Sequence, residues 1–388
     1  MARRDRFAQP VLSMPGAVYS PFADRLREHP GPIFPLHVGD TWLEPAVGAR
    51  MEDLRTDERP GVHRYCDTRG LPALGDAVVG KVRTRNGIAC ERESVLITAG
   101  ATAGLGCALG AVVEPGDEVL ILAPFWPLIR GIVQALGATP VEVPFFDLVH
   151  GPAEAVAAVS ALAGPRTVAL YVSTPSNPTG RVIDEATLAA LAGWARREDV
   201  WLVADEVYED FVYVGRHVSL APLAPERTLT AFSFSKAYGM AGNRVAYLVG
   251  PEAWIDQARK LGTHSFYAAP TASQHAALQA LAIGDAWQAA ARADYCDVGA
   301  RAAALLGLPA PEGSTFLFVD VRDRLDERGM DGLLEACFEQ GVLLSPGASS
   351  GRDYADWVRI CFTVLPPEQV LEAIRRVAPL IGCAPQPR

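Results

Sequence analysis

The chain has 388 residues, 49% hydrophobic and 21% charged, which is ordinary globular composition. Lys and Arg number 35 against 45 Asp and Glu, and the net charge of -10 argues against nucleic-acid backbones and anionic membranes as partners. The length exceeds one typical domain and is ample for an enclosed cofactor.

The cysteines (Cys66, Cys90, Cys107, Cys296, Cys337, Cys361 and Cys383) are odd in number and never form CxxC. They make neither a disulfide framework nor a zinc site, and read as reduced thiols of a cytoplasmic protein. The basic opening MARRDRFAQP is not followed by the apolar core of a signal peptide. The most apolar stretch, VLITAGATAGLGCALGAVV, is broken by glycines and stopped by EPGDE. A membrane span needs about 20 uninterrupted apolar residues. A soluble protein is expected.

Up to Pro45 the chain is rich in Pro and Gly and shows no buried-strand pattern. From about residue 94, short β-branched runs alternate with helical patterns. Expected strands are VLIT (95–98), VLILA (119–123), TPVEV (139–143), VALYVS (168–173), VWLVAD (200–205), TLTAFSF (228–234) and VAYLVG (245–250). Several are continuously apolar, the mark of strands buried on both faces of a largely parallel sheet. The segment 185–198 between two of them reads as a helix with Asp184 as N-cap and basic residues near its end. The pattern predicts an α/β fold, a doubly wound, mostly parallel seven-stranded sheet over residues 46–284. After residue 285 a long Ala-rich helix leads to FLFVDV, a helix near 330–340, VLLSPG, WVRICFTV and a final helix. Residues 1–45 and 285–388 together are expected to form a smaller α+β unit.

In open α/β sheets, ligands sit beyond the carboxyl ends of the strands. The residues directly after each expected strand are therefore informative. VLIT is followed by Ala99-Gly100-Ala101-Thr102, small residues opening a helix whose N–H groups suit an anion. VLILA is followed by Pro124-Phe125-Trp126, VALYVS by Thr174 to Gly180 with Asn177 inside, and VWLV by Ala204-Asp205-Glu206-Val207-Tyr208. After TLTAFSF come Ser235 and Lys236, with Arg244 eight residues on. An anion cradle, an aromatic plate, an amide, a carboxylate with a phenol, and an amine with a guanidinium match the needs of pyridoxal 5'-phosphate (PLP). A carboxylate beside the ring nitrogen favours the protonated, electron-accepting ring, by roughly 1–3 pKa units.

The motifs SNPTG, ADEVY, SFSKAYGMAGNR and WVRICF, in this order, resemble those of class I/II aminotransferases, the fold-type I PLP enzymes typified by aspartate aminotransferase. The likeness runs from about Gly39 to the C-terminus. It implies that Lys236 carries the cofactor as a Schiff base and shuttles the proton between substrate Cα and cofactor. It implies Asp205 as partner of the pyridine nitrogen, Tyr208 and Asn177 as donors to the phenolic oxygen, and Trp126 as the stacked aromatic. Ala101, Thr102, Ser233 and Arg244 correspond to the phosphate binders. Tyr65, in HRYCDTRG, corresponds to a tyrosine reaching the phosphate in the neighbouring subunit, so the resemblance implies a homodimer with shared active sites. Arg359 corresponds to the arginine that clamps the substrate α-carboxylate, assisted by Asn177 and the backbone at Gly39. The Asn177–Pro178 bond is expected to be cis.

Taken singly, several of these residues have duller readings. An Asp after a strand most often caps a helix, Asn-Pro is a turn dipeptide, and a lone Trp is more often core than plate. Arg359 sits inside an apolar run where an unpaired guanidinium is costly, which favours a bound anion. The histidines show no metal spacing, and the Gly-rich 100–110 segment is not GxGxxG.

The sequence departs from the family at Asn243, before the phosphate arginine, and at Gly39-Asp40-Thr41-Trp42, where the substrate side chain is read. Transamination of an L-amino acid with a 2-oxo acid is the expected reaction. A different PLP reaction on the same fold (lyase, decarboxylase or biosynthetic synthase) is the main alternative, and a non-catalytic effector-binding module the remote one. Trp42, Phe125 and Tyr267 point to apolar or aromatic donors, Asp40 to a basic one.

Overall fold

A computed structural model of the chain describes residues 7–12, 14, 22 and 25–382. Seven strands form the main sheet: β1 Val95–Thr98, β2 Glu118–Ala123, β3 Thr139–Pro144, β4 Thr167–Ser173, β5 Trp201–Asp205, β6 Thr228–Ser233 and β7 Ala246–Val249. Their spatial order is β1-β7-β6-β5-β4-β2-β3. Only β7 runs against its neighbours β1 and β6, and the other pairings are parallel.

Alternate side chains of these strands enter two separate cores. Leu120, Leu122, Leu170, Val172, Leu202 and Ala204 meet Leu188, Leu191 and Trp194 of the helix Glu185–Arg197 on one face. Val119, Ile121, Tyr171, Val203 and Ala231 face the other way. They meet Leu105 of the helix Ala101–Gly110, Ile129 and Val133 of the helix Pro127–Ala135, and Trp254 of the helix Glu252–Ser265. Burial on both faces accounts for the continuous apolar runs, each fully buried Leu or Val adding roughly 1.5–3 kcal/mol.

A second sheet has the order β8-β10-β9, with β8 Phe316–Asp320, β9 Ser345–Pro346 and β10 Trp357–Cys361. The helices Asp285–Leu305 and Pro367–Ile381 share a core with it. Phe34 and Leu36 are buried in that same core, and Phe34 bridges Val342.

TLTAFSF stops at Ser233, whose hydroxyl accepts the Ser235 N–H at 3.0 Å and starts the short helix Phe234–Ala237. VLLSPG contributes only β9, because Phe34 takes the bonds of its first part (Phe34 N–H to Gly341 O, Leu343 N–H to Phe34 O). Pro346 then has no N–H to continue the ladder.

Asp184 caps the helix Glu185–Arg197, accepting from the Thr187 N–H at 2.8 Å and the Thr187 hydroxyl at 3.0 Å. Asp184→Ala is expected to lower the unfolding free energy by about 1 kcal/mol, read as a lower urea midpoint.

Candidate active site

At the carboxyl ends of β1, β2, β4, β5 and β6 lies a cavity of ≈ 260 Å³. Gly39, Ala101, Thr102, Trp126, Asn177, Asp205, Tyr208, Ser233, Lys236, Arg244 and Arg359 all line it. Tyr65 does not. It is 87% exposed on the surface, with its ring 4.8 Å from that of Tyr267.

One end of the cavity suits an anion. Gly100, at φ 89°, precedes the helix Ala101–Gly110. A Cβ there would lie 2.1 Å from Nη2 of Arg244, so only glycine lets the guanidinium reach this helix N-terminus. Arg244 is itself left-handed, at φ 53°, and its Nη1 donates to Ala241 O at 2.8 Å. The first-turn amides of the helix have no intrahelical acceptor, and beside Arg244 they form a ready cradle for negative charge.

Deeper in, β5 ends on Asp205, which is 5% exposed. Tyr171 donates its hydroxyl to Oδ2 at 2.5 Å, and the Val207 N–H approaches Oδ1 at 3.4 Å. No basic side chain pairs with Asp205 among the described residues, and burial pushes its carboxyl up to about 6. The next residue, Glu206, faces away from the cavity and accepts from His217 at 2.8 Å, Ser219 at 3.0 Å and the Leu220 N–H at 2.9 Å. Glu209 takes Lys81 and Asn86. Glu206, Glu209 and His217 come within 4.8 Å of one another. These partners pin the turn that carries Asp205 and Tyr208. The motif reading missed this buried network, whose one signal was the acidic run DEVYED.

Lys236 follows β6, and its Nζ donates to Gly39 O. Burial lowers its pKa; Asp40 and Cys361 oppose this, while Arg359 and Arg244 add to it. The neutral, nucleophilic amine gains from that environment. Tyr208 is buried with its ring edge-on to Phe316 at 5.8 Å, and burial raises its phenol.

Arg359 occupies β10 opposite Ser345. Its Nη1 donates to Asn177 Oδ1 at 3.1 Å, and its Nη2 to His37 O at 2.9 Å and Ser345 Oγ at 3.3 Å. The guanidinium lies 4.6 Å from the Phe316 ring centroid, and its buried Nε has no partner. Burial lowers its pKa. A cation this enclosed, without a carboxylate beside it among the described residues, is poised for an anion. His37 and Phe316 frame it and carried no motif. Asn177 is held beside a cis Asn177–Pro178 bond; Thr174–Pro175 and Ala123–Pro124 are also cis.

The residues read as selecting the substrate do not line the cavity. Phe125 is fully buried and packs in the sheet core, because the helix start that brings Trp126 to the cavity turns its neighbour inward. Trp42 and Tyr267 lie at the surface, 37% and 43% exposed.

A family model described as aminotransferase class I and II matches residues 35–377. The aspartate/prephenate aminotransferase of Thermus thermophilus is 33% identical over 338 residues, covering 84% of this chain and 85% of that protein. The arginine–pyruvate transaminase of Pseudomonas aeruginosa is 33% identical over 360 residues, 89% of each. Among solved structures, the aspartate aminotransferase of Thermus thermophilus with maleate superposes with a TM-score of 0.87 at 29% identity. The match spans 97% of this chain and 100% of that one.

The state of Asp205 has a measurable consequence. Its folded pKa of about 6 lies above the ordinary 3.8, so the native state binds the extra proton between those values. Stability therefore falls as pH rises through that window, and the cost stays in full above it. In cofactor-free protein, Asp205→Asn is expected to raise the melting temperature at pH 8, by up to about 3 kcal/mol of stability, and to leave it unchanged near pH 3.5.

Proposed function

This chain belongs to the class I and II aminotransferases and is a transaminase, and from that membership we propose that it works with PLP held in the cavity around Lys236. What carries the reading is a pair of charges in one cavity, a buried carboxylate lacking a cation and a half-buried guanidinium lacking an anion among the described residues.

The donor set fits the cofactor. Asp205 suits a cationic ring nitrogen. The cradle of Ala101, Thr102 and Arg244, which a Cβ at Gly100 would fill, suits the phosphate, with Ser233 and Ser235 beside it. Tyr208 and Asn177 suit the phenolic oxygen, Trp126 the ring face, and Lys236 the aldehyde. When bound, PLP supplies an aldehyde that takes up amines and a ring that accepts electron density from the substrate Cα.

The chain's own residues do the rest. Arg359 grips the α-carboxylate with its planar fork, Asn177 holds that fork in place, and the backbone at Gly39, where a Cβ would lie 2.8 Å from the Phe316 ring, assists. Lys236 Nζ, whose pKa burial lowers, would take the proton from the substrate Cα and return it at the former aldehyde carbon of the cofactor, across the substrate nitrogen. Tyr65 is assigned to the phosphate in a second copy of the chain, making the working unit a homodimer; its exposed ring beside Tyr267 supports this. Among the described residues no helix is long and apolar enough to cross a membrane.

Related enzymes are named for aspartate, arginine and valine, so relatedness leaves the donor open. Among the described residues, the cations lining the cavity are Lys236, Arg244 and Arg359. All three have assigned tasks, and Leu105, Val207 and Phe316 supply apolar lining. Neutral apolar or aromatic donors are therefore favoured over aspartate.

Lys236→Ala is expected to abolish turnover and the yellow, borohydride-trappable adduct; retention of that adduct would contradict the reading. Arg359→Gln is expected to lower kcat/KM about 100-fold, or about 2.7 kcal/mol. In a panel of donors followed by cofactor absorbance, leucine, methionine or phenylalanine should outpace aspartate.

A further inference from the structure

Arg359 lies in the smaller sheet and the aromatic plate Trp126 follows β2 of the larger one, yet one substrate must engage both. Its carboxylate goes to Arg359 while its nitrogen meets the ring stacked on Trp126. A misplacement of about 1 Å between such groups can cost on the order of 100-fold in rate. Something must set that spacing.

The turn joining β9 to β10 lies against the plate. One end of it is Ser345, which bonds Arg359, and the other runs into the strand that carries Arg359. The Phe125 N–H donates to Ser350 O at 2.9 Å. Arg130, one helical turn after Trp126, donates to Ser349 O at 3.2 Å and passes 5.6 Å from the Phe125 ring centroid. Glu142 is an acid in the edge strand β3, 9% exposed, with both oxygens taken. Oε1 accepts from Arg130 at 3.0 Å and Oε2 from the Arg352 N–H at 2.8 Å. The Tyr354 hydroxyl adds a bond to Asp147 at 2.7 Å. The turn is tight as well: a Cβ on Gly347 would lie 2.4 Å from Tyr354 O.

The geometry points to Glu142 and Arg130 as positioning residues for transamination, which strap the β9–β10 turn to the plate and so fix the distance between the ring face and Arg359. Burying an acid in a sheet edge is costly unless every bond is made, and here the bonds run from the helix that follows Trp126 to the turn that leads into the strand of Arg359. Glu142 touches neither substrate nor cofactor. It acts through Arg359, and the inference rests on Arg359 being the carboxylate clamp.

The test compares holoenzyme with Glu142→Gln, Arg359→Gln and the double variant. Single-turnover rates are measured with leucine, and binding of 4-methylpentanoate, a carboxylate without an amine, by calorimetry. Glu142→Gln is expected to slow the half-reaction about tenfold, with carboxylate affinity held within about twofold. In the Arg359→Gln background the same change should cost less than about twofold, since the strap then has no clamp to place. Equal losses in both backgrounds, no loss in the first, or carboxylate affinity falling as far as the rate would each overturn the strap. Should Arg359→Gln alone cost nothing, the clamp itself is wrong and the strap falls with it. A large loss in Arg359→Gln with additive behaviour of Glu142→Gln removes the strap alone. If Glu142→Gln does not fold, Tyr354→Phe, which removes only the bond to Asp147, is put through the same cycle. It is expected to give a loss of about threefold that disappears without Arg359, and persistence of that loss would overturn the strap.

Discussion

The carboxylate at the end of β5 is a charge that the fold buries and leaves without a cation. Asp205 receives one hydroxyl from Tyr171 and one long backbone contact, and burial carries its pKa to about 6. Nothing about the stability of the protein alone calls for this. An asparagine would keep the tyrosine bond without the desolvation. In the function proposed above, the charge is half of an interaction whose other half is a cationic ring. Stability given up at a site in exchange for chemistry is a recurring trade in enzymes.

The same logic extends to Lys236 and Arg359, whose pKa values burial lowers. For the lysine this favours the neutral amine. For the arginine, which stays charged in any protein, it raises the value of an arriving carboxylate. The sheet supplies the frame: five strand ends converge on one cavity, and the side chains beneath them are locked in two apolar cores. A site carried on such elements holds its geometry better than one carried on loops.

Much of this frame was legible in the sequence, because strands buried on both faces write themselves as short apolar runs and because functional residues directly succeed them. Asp184 and its helix were legible for the same reason, a cap followed by apolar periodicity. Residues whose role depends on distant chain segments were not. Phe125 and Trp126 are neighbours in sequence, but the helix start sends one into the core and the other to the cavity. His37 meets Arg359 across 322 positions, and Glu142 sits unremarked in TPVEV until the β9–β10 turn arrives beside it. VLLSPG contributes only the two-residue β9 because the hydrogen bonds of its first part go to Phe34, over 300 residues earlier. No local pattern encodes such pairings. The acidic network under Asp205 was hidden likewise, since Lys81 and Asn86 come from one distant helix and its C-cap, and His217 from a separate segment.

The pairing of Asp205 with a cationic ring is tested most directly by nitrogen-15 NMR of holoenzyme loaded with ring-labelled PLP. A ring nitrogen that stays protonated from pH 6 to pH 9, and loses that proton in Asp205→Asn, is the expected result. A neutral nitrogen in the unaltered enzyme at pH 7, or one indifferent to the substitution, would contradict it.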